Sequence, residues 1–269
     1  GDKKMSEEKR QLKLHLIVLV LVVLAEFIGT KSFKVGPGTV VLLPMLYALL
    51  LGLLTGPKFL RITDMEDMKT AESLITVSVL LLMAKYGTNI GPTLPLIIKS
   101  GPALILQEFG NLGTVLVGMP IALLLGLRRE AIGAAFSIAR EPNLAIISDM
   151  YGLDSPEGRG VMGVYLCGTL FGSIFFGLFA GIAATALPLH PYALAMASGV
   201  GSASMMSAAV GALTEIFPEM AEEITAFGAA SNLATGADGV YMSIFMALPM
   251  CEWMYRKLIG DRAKEVVKG

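Results

Sequence analysis

Charge, cysteine and histidine are all scarce in this chain: 16% of its 269 residues are charged, and it holds 2 Cys and 2 His. Cys167 and Cys251 stand alone in apolar segments, which excludes a disulfide framework and any Cys-x-x-Cys metal or redox motif. Both read as small buried hydrophobes. His15 and His190 are far apart and His-x-x-x-His is absent, so no metal pair is legible. A formal net charge of −1 leaves no concentrated basic face, and nucleic acid is excluded as a partner. Neither a Walker A nor a Gly-x-Ser-x-Gly pattern occurs, so nucleotide-driven transport and hydrolase chemistry have no foothold.

What the chain has is apolar length. Hydrophobic residues make up 54% and the mean hydropathy is +0.68, which places it among polytopic membrane proteins. Runs such as Leu14–Thr30, Val40–Thr55, Gly160–Ala184 and Met242–Trp253 approach the roughly 20 residues that span about 30 Å of hydrocarbon. The loops between them leave no room for a soluble domain. Gly1–Lys4, before Met5, reads as a cloning remnant, and the first apolar run as a retained span without a cleavage site.

The chain also repeats itself. "EFGNLGT" (Glu108–Thr114) and "AASNLAT" (Ala229–Thr235) each carry Asn-Leu-x-Thr, at an offset of 121. The same offset lays Gly36–Gly56 on Glu157–Gly177 and Ala71–Pro92 on Tyr192–Leu213, with low identity. Weak internal symmetry of this kind marks duplicated transporters, whose sites lie at the repeat interface and use discontinuous helices. The expected fold is an all-α transmembrane bundle of about eight spans, or ten if broken helices count twice. Residues 1–13 form an N-terminal tail, 14–128 and 129–255 the two repeats, and 256–269 a C-terminal tail.

Each repeat ends in a stretch too long for one straight span, Leu94–Leu127 and Glu222–Tyr255. Gly and Pro predict breaks at Lys99–Pro102 and Glu108–Asn111 in the first and between Gly228 and Gly239 in the second. With single crossings, Lys9, Arg10 and Lys13, the loop with Lys58, Arg61 and Lys69, the pair Arg128-Arg129 and the C-terminal Arg256, Lys257, Arg262 and Lys264 all face the cytoplasm. The repeats are then parallel. Counting each long stretch twice inverts them and moves Arg128-Arg129 outside.

Polar residues inside apolar segments are the candidate site. Arg140, in "AREPN", can hold a substrate carboxylate bidentately, with Asn143 beside it; the alternative is that it pairs with Glu141 or Asp149 in an interfacial helix. Asn111, Thr114, Asn232 and Thr235 offer neutral oxygens to a solute or ion, or serve as interhelical hydrogen bonds. Glu108 and Asp238 are the coupling-ion candidates, although Glu108 aligns with Ala229 and Asp238 with Val117, so the two halves differ. Ser202, Ser204 and Ser207 can line the solute path with Met205 and Met206 as an apolar wall, or their small neighbours can simply let helices approach. Glu26 and Lys85 are further candidates for buried charge.

The stretch "AAFSIAREPNLAIISDMYGLDSPEGRGVMGVYLCGTLFG", with the polar-broken last span, resembles a bacterial membrane family known as domain of unknown function 3100, over Leu14 to Tyr255. In layout alone the chain is similar to the lysine exporter and ketodeoxygluconate permease groups of secondary transporters. The resemblance implies ion-coupled secondary transport by a duplicated fold, with an elevator motion, and it transfers no substrate residues. The resulting expectation is a secondary transporter of a small polar metabolite, a carboxylate or amino acid, in the inner membrane of a bacterium or archaeon. It would be driven by Na⁺ or H⁺, use no other cofactor, and have both termini in the cytoplasm. The alternatives are a passive channel and a membrane-embedded enzyme, the latter disfavoured because no nucleophile–base or metal constellation is legible. Partners are the solute and the bilayer; a homodimer is compatible with this size.

Overall fold

The computed structural model describes residues 2–35, 38–136 and 140–259. Almost all of them are helical. The first apolar run forms α1 (Asp2–Ile28), and its stretch Glu7–Ile28 is long and apolar enough to cross a membrane. Among the described residues Gly101–Leu124 and Pro156–Ala186 also meet that standard, whereas Pro44–Thr55 and Ala203–Ile216 are apolar but shorter. Three helices, rather than eight, are therefore span-length by composition.

The run from Gly36 departs most from expectation. It opens as an antiparallel hairpin, β1 (Lys31–Val35) with β2 (Gly38–Leu42), before α2 (Pro44–Thr55) begins. Thr39, Val40 and Val41 are β-branched and favour strand. Pro44 has no N–H to give a preceding turn, so the helix starts there. The hairpin is seated on the later helix α8 (Pro156–Ala186): Thr39 N–H donates to Thr185 Oγ1 at 2.8 Å, and a Cβ at Gly181 would stand 2.4 Å from the Thr39 carbonyl.

In the first half, α3 (Met65–Lys99) starts at a reciprocal cap in which the Asp64 side chain accepts from the Asp67 N–H and Asp67 accepts from the Asp64 N–H. Its acidic first turn pairs with Arg10 and Lys13 of α1, so the N-terminal basic residues and this loop share one end of the bundle. The two expected interruptions follow, separating α3 from α4 (Gly101–Gly110) and α4 from α5 (Gly113–Leu124). The second is milder than an open loop. Asn111 and Leu112 keep helical angles, and their N–H groups reach back only three residues, to the carbonyls of Glu108 and Phe109.

The second half continues with α6 (Glu130–Ala135), α7 (Arg140–Tyr151), α8, α9 (Pro191–Ser198), α10 (Ala203–Ile216), α11 (Ala221–Met242) and α12 (Leu248–Ile259). The break expected between Gly228 and Gly239 is absent, because α11 runs straight through. Gly228 serves packing instead: a Cβ there would lie 2.6 Å from Val210 Cγ2. The real interruptions lie elsewhere. One separates α9 from α10 at Gly199–Ser202, where Gly201 has φ +116°, open to glycine and rarely to other residues. The other is a π-turn at Ser243–Ala247. Pro249 explains it, since it cannot donate four residues back and its ring crowds that carbonyl, so the preceding turn widens.

Two packed clusters result. One joins Val115 and Met119 of α5, Ile132 of α6, Ile147 of α7 and Cys251 and Tyr255 of α12; the other joins Ile97 of α3, Ala195 of α9, Met206 and Leu213 of α10 and Phe227 of α11. The helix α8 contributes Val161 to the first and Ala183 to the second. Near its start, Gly158-Arg159-Gly160-Val161-Met162-Gly163 has Gly-x-Gly-x-x-Gly spacing, but it lies inside a helix and follows no strand, so it is no dinucleotide loop. Its middle glycine permits a backbone crossing with α6: a Cβ at Gly160 would stand 2.0 Å from the Glu130 carbonyl, and one at Gly133 would stand 1.9 Å from that of Glu157.

Candidate functional site

The two Asn-Leu-x-Thr copies meet, in part. Glu108 closes the polar face of α4 and is 7% exposed, on a helix whose other side carries Ile105, Leu106 and Phe109 to the outside. Its carboxylate accepts from Asn111 Nδ2 at 2.8 Å and from Thr235 Oγ1 at 2.9 and 3.0 Å. Asn111, 2% exposed, also lies 3.5 Å from Thr235. One turn earlier, Ser231 Oγ donates to Gln107 Oε1 at 2.9 Å. Gln107, Glu108 and Asn111 recur at helical spacing on one side, and Ser231, Thr235 and Asp238 do so on the other, so the α4–α11 contact is a short polar ladder. Bonds of this kind to a charged group contribute about 1.5–3 kcal/mol each.

Asp238 completes the group. It is half-buried, lies within hydrogen-bonding reach of Glu108, and keeps Oδ1 without a partner. Asn111 Oδ1 is likewise buried and accepts from nothing among the described residues. Two carboxyl groups in contact, a buried amide oxygen and a hydroxyl make an oxygen-only site with several lone pairs free.

The other expected residues do not join it. Asn232, one turn from Thr235, points to the α9–α10 break, where its Nδ2 donates to the carbonyls of Gly199 and Gly201 at 2.9 and 3.0 Å. Thr114 is exposed on α5. The symmetric counterpart of the Asn111–Thr235 approach is thus not formed, because the tightened turn between α4 and α5 carries Thr114 away from α11 while Asn232 is taken up by α9. Ser202 caps α10, accepting from Met205 N–H at 3.3 Å, with Ser204 Oγ 3.0 Å away. Ser204 lines a groove of about 420 Å³ with Leu14, Val18, Leu74, Ser78 and Leu82, between α1, α3 and α10 and apart from Glu108. Met205 and Met206 are buried core. Met205 Cε fills the place of a Gly172 side chain. Arg140 begins α7, and its side chain, with that of Glu141, lies outside the described residues. Asn143 is fully buried with both amide atoms unpartnered, and no hydrogen bond links it to the Glu108 group among the described residues. Glu26 and Lys85, expected to be buried, are both exposed on the helix surface, as is Cys167; each sits on the outward side of a helix that packs through one stripe only.

Sequence reasoning missed a second polar cluster. Arg129, before α6, pairs with the buried Glu157 of α8 and with Glu252 of α12 at 2.8 Å; Tyr151 OH donates to Glu252 at 2.9 Å, and the Arg129 guanidinium lies 5.6 Å from the Tyr255 ring centre. It brings Arg129 to the same end as the C-terminal residues Arg256 and Lys257. The signal available was thin: Glu157 and Glu252 read as span-end charges, and only contact shows that one Arg serves both. Gln107 and Ser231 were legible as residues four before Asn111 and Thr235.

A family model described as a protein of unknown function (DUF3100) matches residues 23–257. No curated protein and no solved structure matches the chain, so the likeness of layout to the lysine exporter and ketodeoxygluconate permease groups stands without a match.

Proposed function

We propose a function from one premise, that the chain belongs to the DUF3100 family: it is a secondary transporter in which Glu108 and Asp238 bind the coupling cation. The observation that carries this reading is the placing of a buried carboxylate on a span-length apolar helix, clasped by residues of both motif copies. Desolvating a carboxylate in a membrane costs several kcal/mol, and a site that charges and discharges it with a cation is the function that justifies the cost. The short turn between α4 and α5 and the α9–α10 break beside Asn232 support a site built from interrupted helices. The solute is a small polar metabolite, a carboxylate or amino acid. Arg140 is the residue we assign to its carboxylate, with Ser202 and Ser204 at the N-terminus of α10, where free N–H groups favour negative charge.

The test is the melting temperature of the detergent-purified protein against a panel of small carboxylates, amino acids and amines, with and without Na⁺ and at several pH values. A solute at 100 times its Kd adds about 2.7 kcal/mol, a readable shift. Stabilisation by one solute class that depends on Na⁺ or pH supports coupled transport. A folded protein that no solute stabilises under any condition refutes it, and solute uptake indifferent to ion gradients would make the protein a channel.

A further inference from the structure

The Glu108 group lacks positive charge. Among the described residues no salt bridge reaches Glu108 or Asp238, and the acceptors around them outnumber the donors. Asn111 spends its amide N–H on Glu108, which fixes its Oδ1 beside the same carboxylate, and that oxygen is buried without a partner. Asp238 Oδ1 is in the same condition. Hydrogen-bond contact between two carboxyl groups requires a proton between them, since two bare carboxylates repel. One shared proton satisfies the facing oxygens and leaves Asn111 Oδ1 and Asp238 Oδ1 idle. A cation of the right size uses all of them.

The geometry points to Na⁺. We propose that Glu108, Asn111, Thr235 and Asp238 form a Na⁺ site, and that Na⁺ enters by displacing the proton that Glu108 and Asp238 share. The inference rests on the reading above that this group is the coupling site. Hard oxygen donors without His or Cys suit an alkali or alkaline-earth cation, and two of the four ligands are neutral, which suits a single charge. Among the described residues no group of three His, Cys, Asp or Glu is assembled to hold a transition metal. The exchange balances: one Na⁺ is bound, one proton leaves to water, and the net charge of the site is unchanged.

The elements packed against α4 and α11 carry other ionisable groups: Glu66, Asp67, Lys69, Glu72, Lys85 and Lys99 on α3, His190 and Tyr192 at α9, Glu215 on α10, and Glu219, Glu222, Glu223 and Tyr241 on or beside α11. Among the described residues none of them is hydrogen-bonded or ion-paired to Glu108 or Asp238. The pH dependence of the site is therefore that of the carboxyl pair.

The experiment is calorimetric titration of the full-length protein in detergent with NaCl, at constant ionic strength in N-methylglucamine chloride, at pH 6, 7 and 8. Two buffers of different protonation heat report proton release. The expected result is saturable Na⁺ binding with about one proton released per ion, and an apparent Kd about tenfold weaker for each unit of falling pH while the pair holds its proton. Asn111→Ser should weaken binding at least about tenfold, as loss of a ligand does. Asp238→Asn should abolish proton release. Melting curves without Na⁺ show that each variant folds, and Thr235→Ser, which keeps the hydroxyl, should bind nearly as wild type. Heat-silent titrations of folded protein at all three pH values overturn the proposal, as does Na⁺ binding without proton release, or undiminished binding by Asn111→Ser. If the solute panel still yields pH-dependent stabilisation, the transporter reading survives that failure; if the panel is flat as well, both fall.

Discussion

Replacing Thr235 with Val and Glu108 with Gln, singly and together, isolates the contact on which the site depends. Thr235→Val removes a hydroxyl that donates to both Glu108 oxygens at 2.9 and 3.0 Å and leaves the side-chain volume nearly unchanged. Against a carboxylate that loss is about 1.5–3 kcal/mol; against the neutral amide of Glu108→Gln it falls to about 0.5–1.5 kcal/mol. The double-mutant cycle should therefore show a coupling of about 1–2 kcal/mol, read from equilibrium unfolding in mixed micelles at pH 8. The control is Asn232→Ala, whose hydrogen bonds go to Gly199 and Gly201. It should destabilise on its own and add to Glu108→Gln within about 0.5 kcal/mol. Additivity of Thr235→Val with Glu108→Gln, or equal coupling through Asn232, would show that the two motif copies do not divide their roles as described.

Arg129→Ala leaves the buried Glu157 without its partner and frees Glu252, and should cost about 3–5 kcal/mol in the same unfolding measurement; a cost under about 0.5 kcal/mol would mean that the cluster is idle. Gly133→Ala should collapse the yield of folded protein, because its Cβ would meet the Glu157 backbone at 1.9 Å, while Gly163→Ala, with nothing within 4 Å, should be neutral or stabilising by about 0.5–1 kcal/mol. Burial pushes the Asp67 carboxyl up, but its bonds to Lys13 and the Asp64 N–H and the charge of Arg10 outweigh that, so its pKa lies below the ordinary 3.8. A lowered pKa means that the α1–α3 clasp is fully stabilising above that ordinary value and is lost as pH falls through the folded one. Hydrogen exchange in residues 7–13 should accelerate in that acidic window, and Asp67→Asn should remove the dependence.

Much of this was readable before any coordinates. The unusual residues in apolar runs, Glu108, Asn111, Thr235 and Asp238, are the ones that converge, because desolvation leaves polar side chains on spans few stable positions other than against one another. Repetition misled at the next level. An offset of 121 pairs Asn with Asn, whereas the contacts pair Asn111 with Thr235 and Gln107 with Ser231 at a separation of 124. Which partner a residue finds depends on how two helices cross, and periodicity along one chain does not encode that. Composition also blurred glycine's two uses: at Gly201 it allows a left-handed turn, while at Gly228 and Gly160 it admits a neighbour. The hairpin Lys31–Leu42 was hidden inside a run read as a span, although Pro44 and the β-branched triplet before it were visible.

The crossing at Gly133 and Gly160 sets a mechanical limit. With main chain resting on main chain, α6 and α8 have no side-chain layer to shear, and neither can slide without lifting off the other. The far end of α8 is tied less rigidly, since the hairpin adds the Thr39–Thr185 hydrogen bond at Gly181. By contrast α1 is anchored chiefly through Leu14, Ala25 and the pairs at Arg10 and Lys13, and nearly all of its apolar surface faces outward. A rearrangement of this bundle would therefore take α6, α8 and the Arg129 cluster as its fulcrum, and the give would be found where helices meet through long side chains, along α1 and α3.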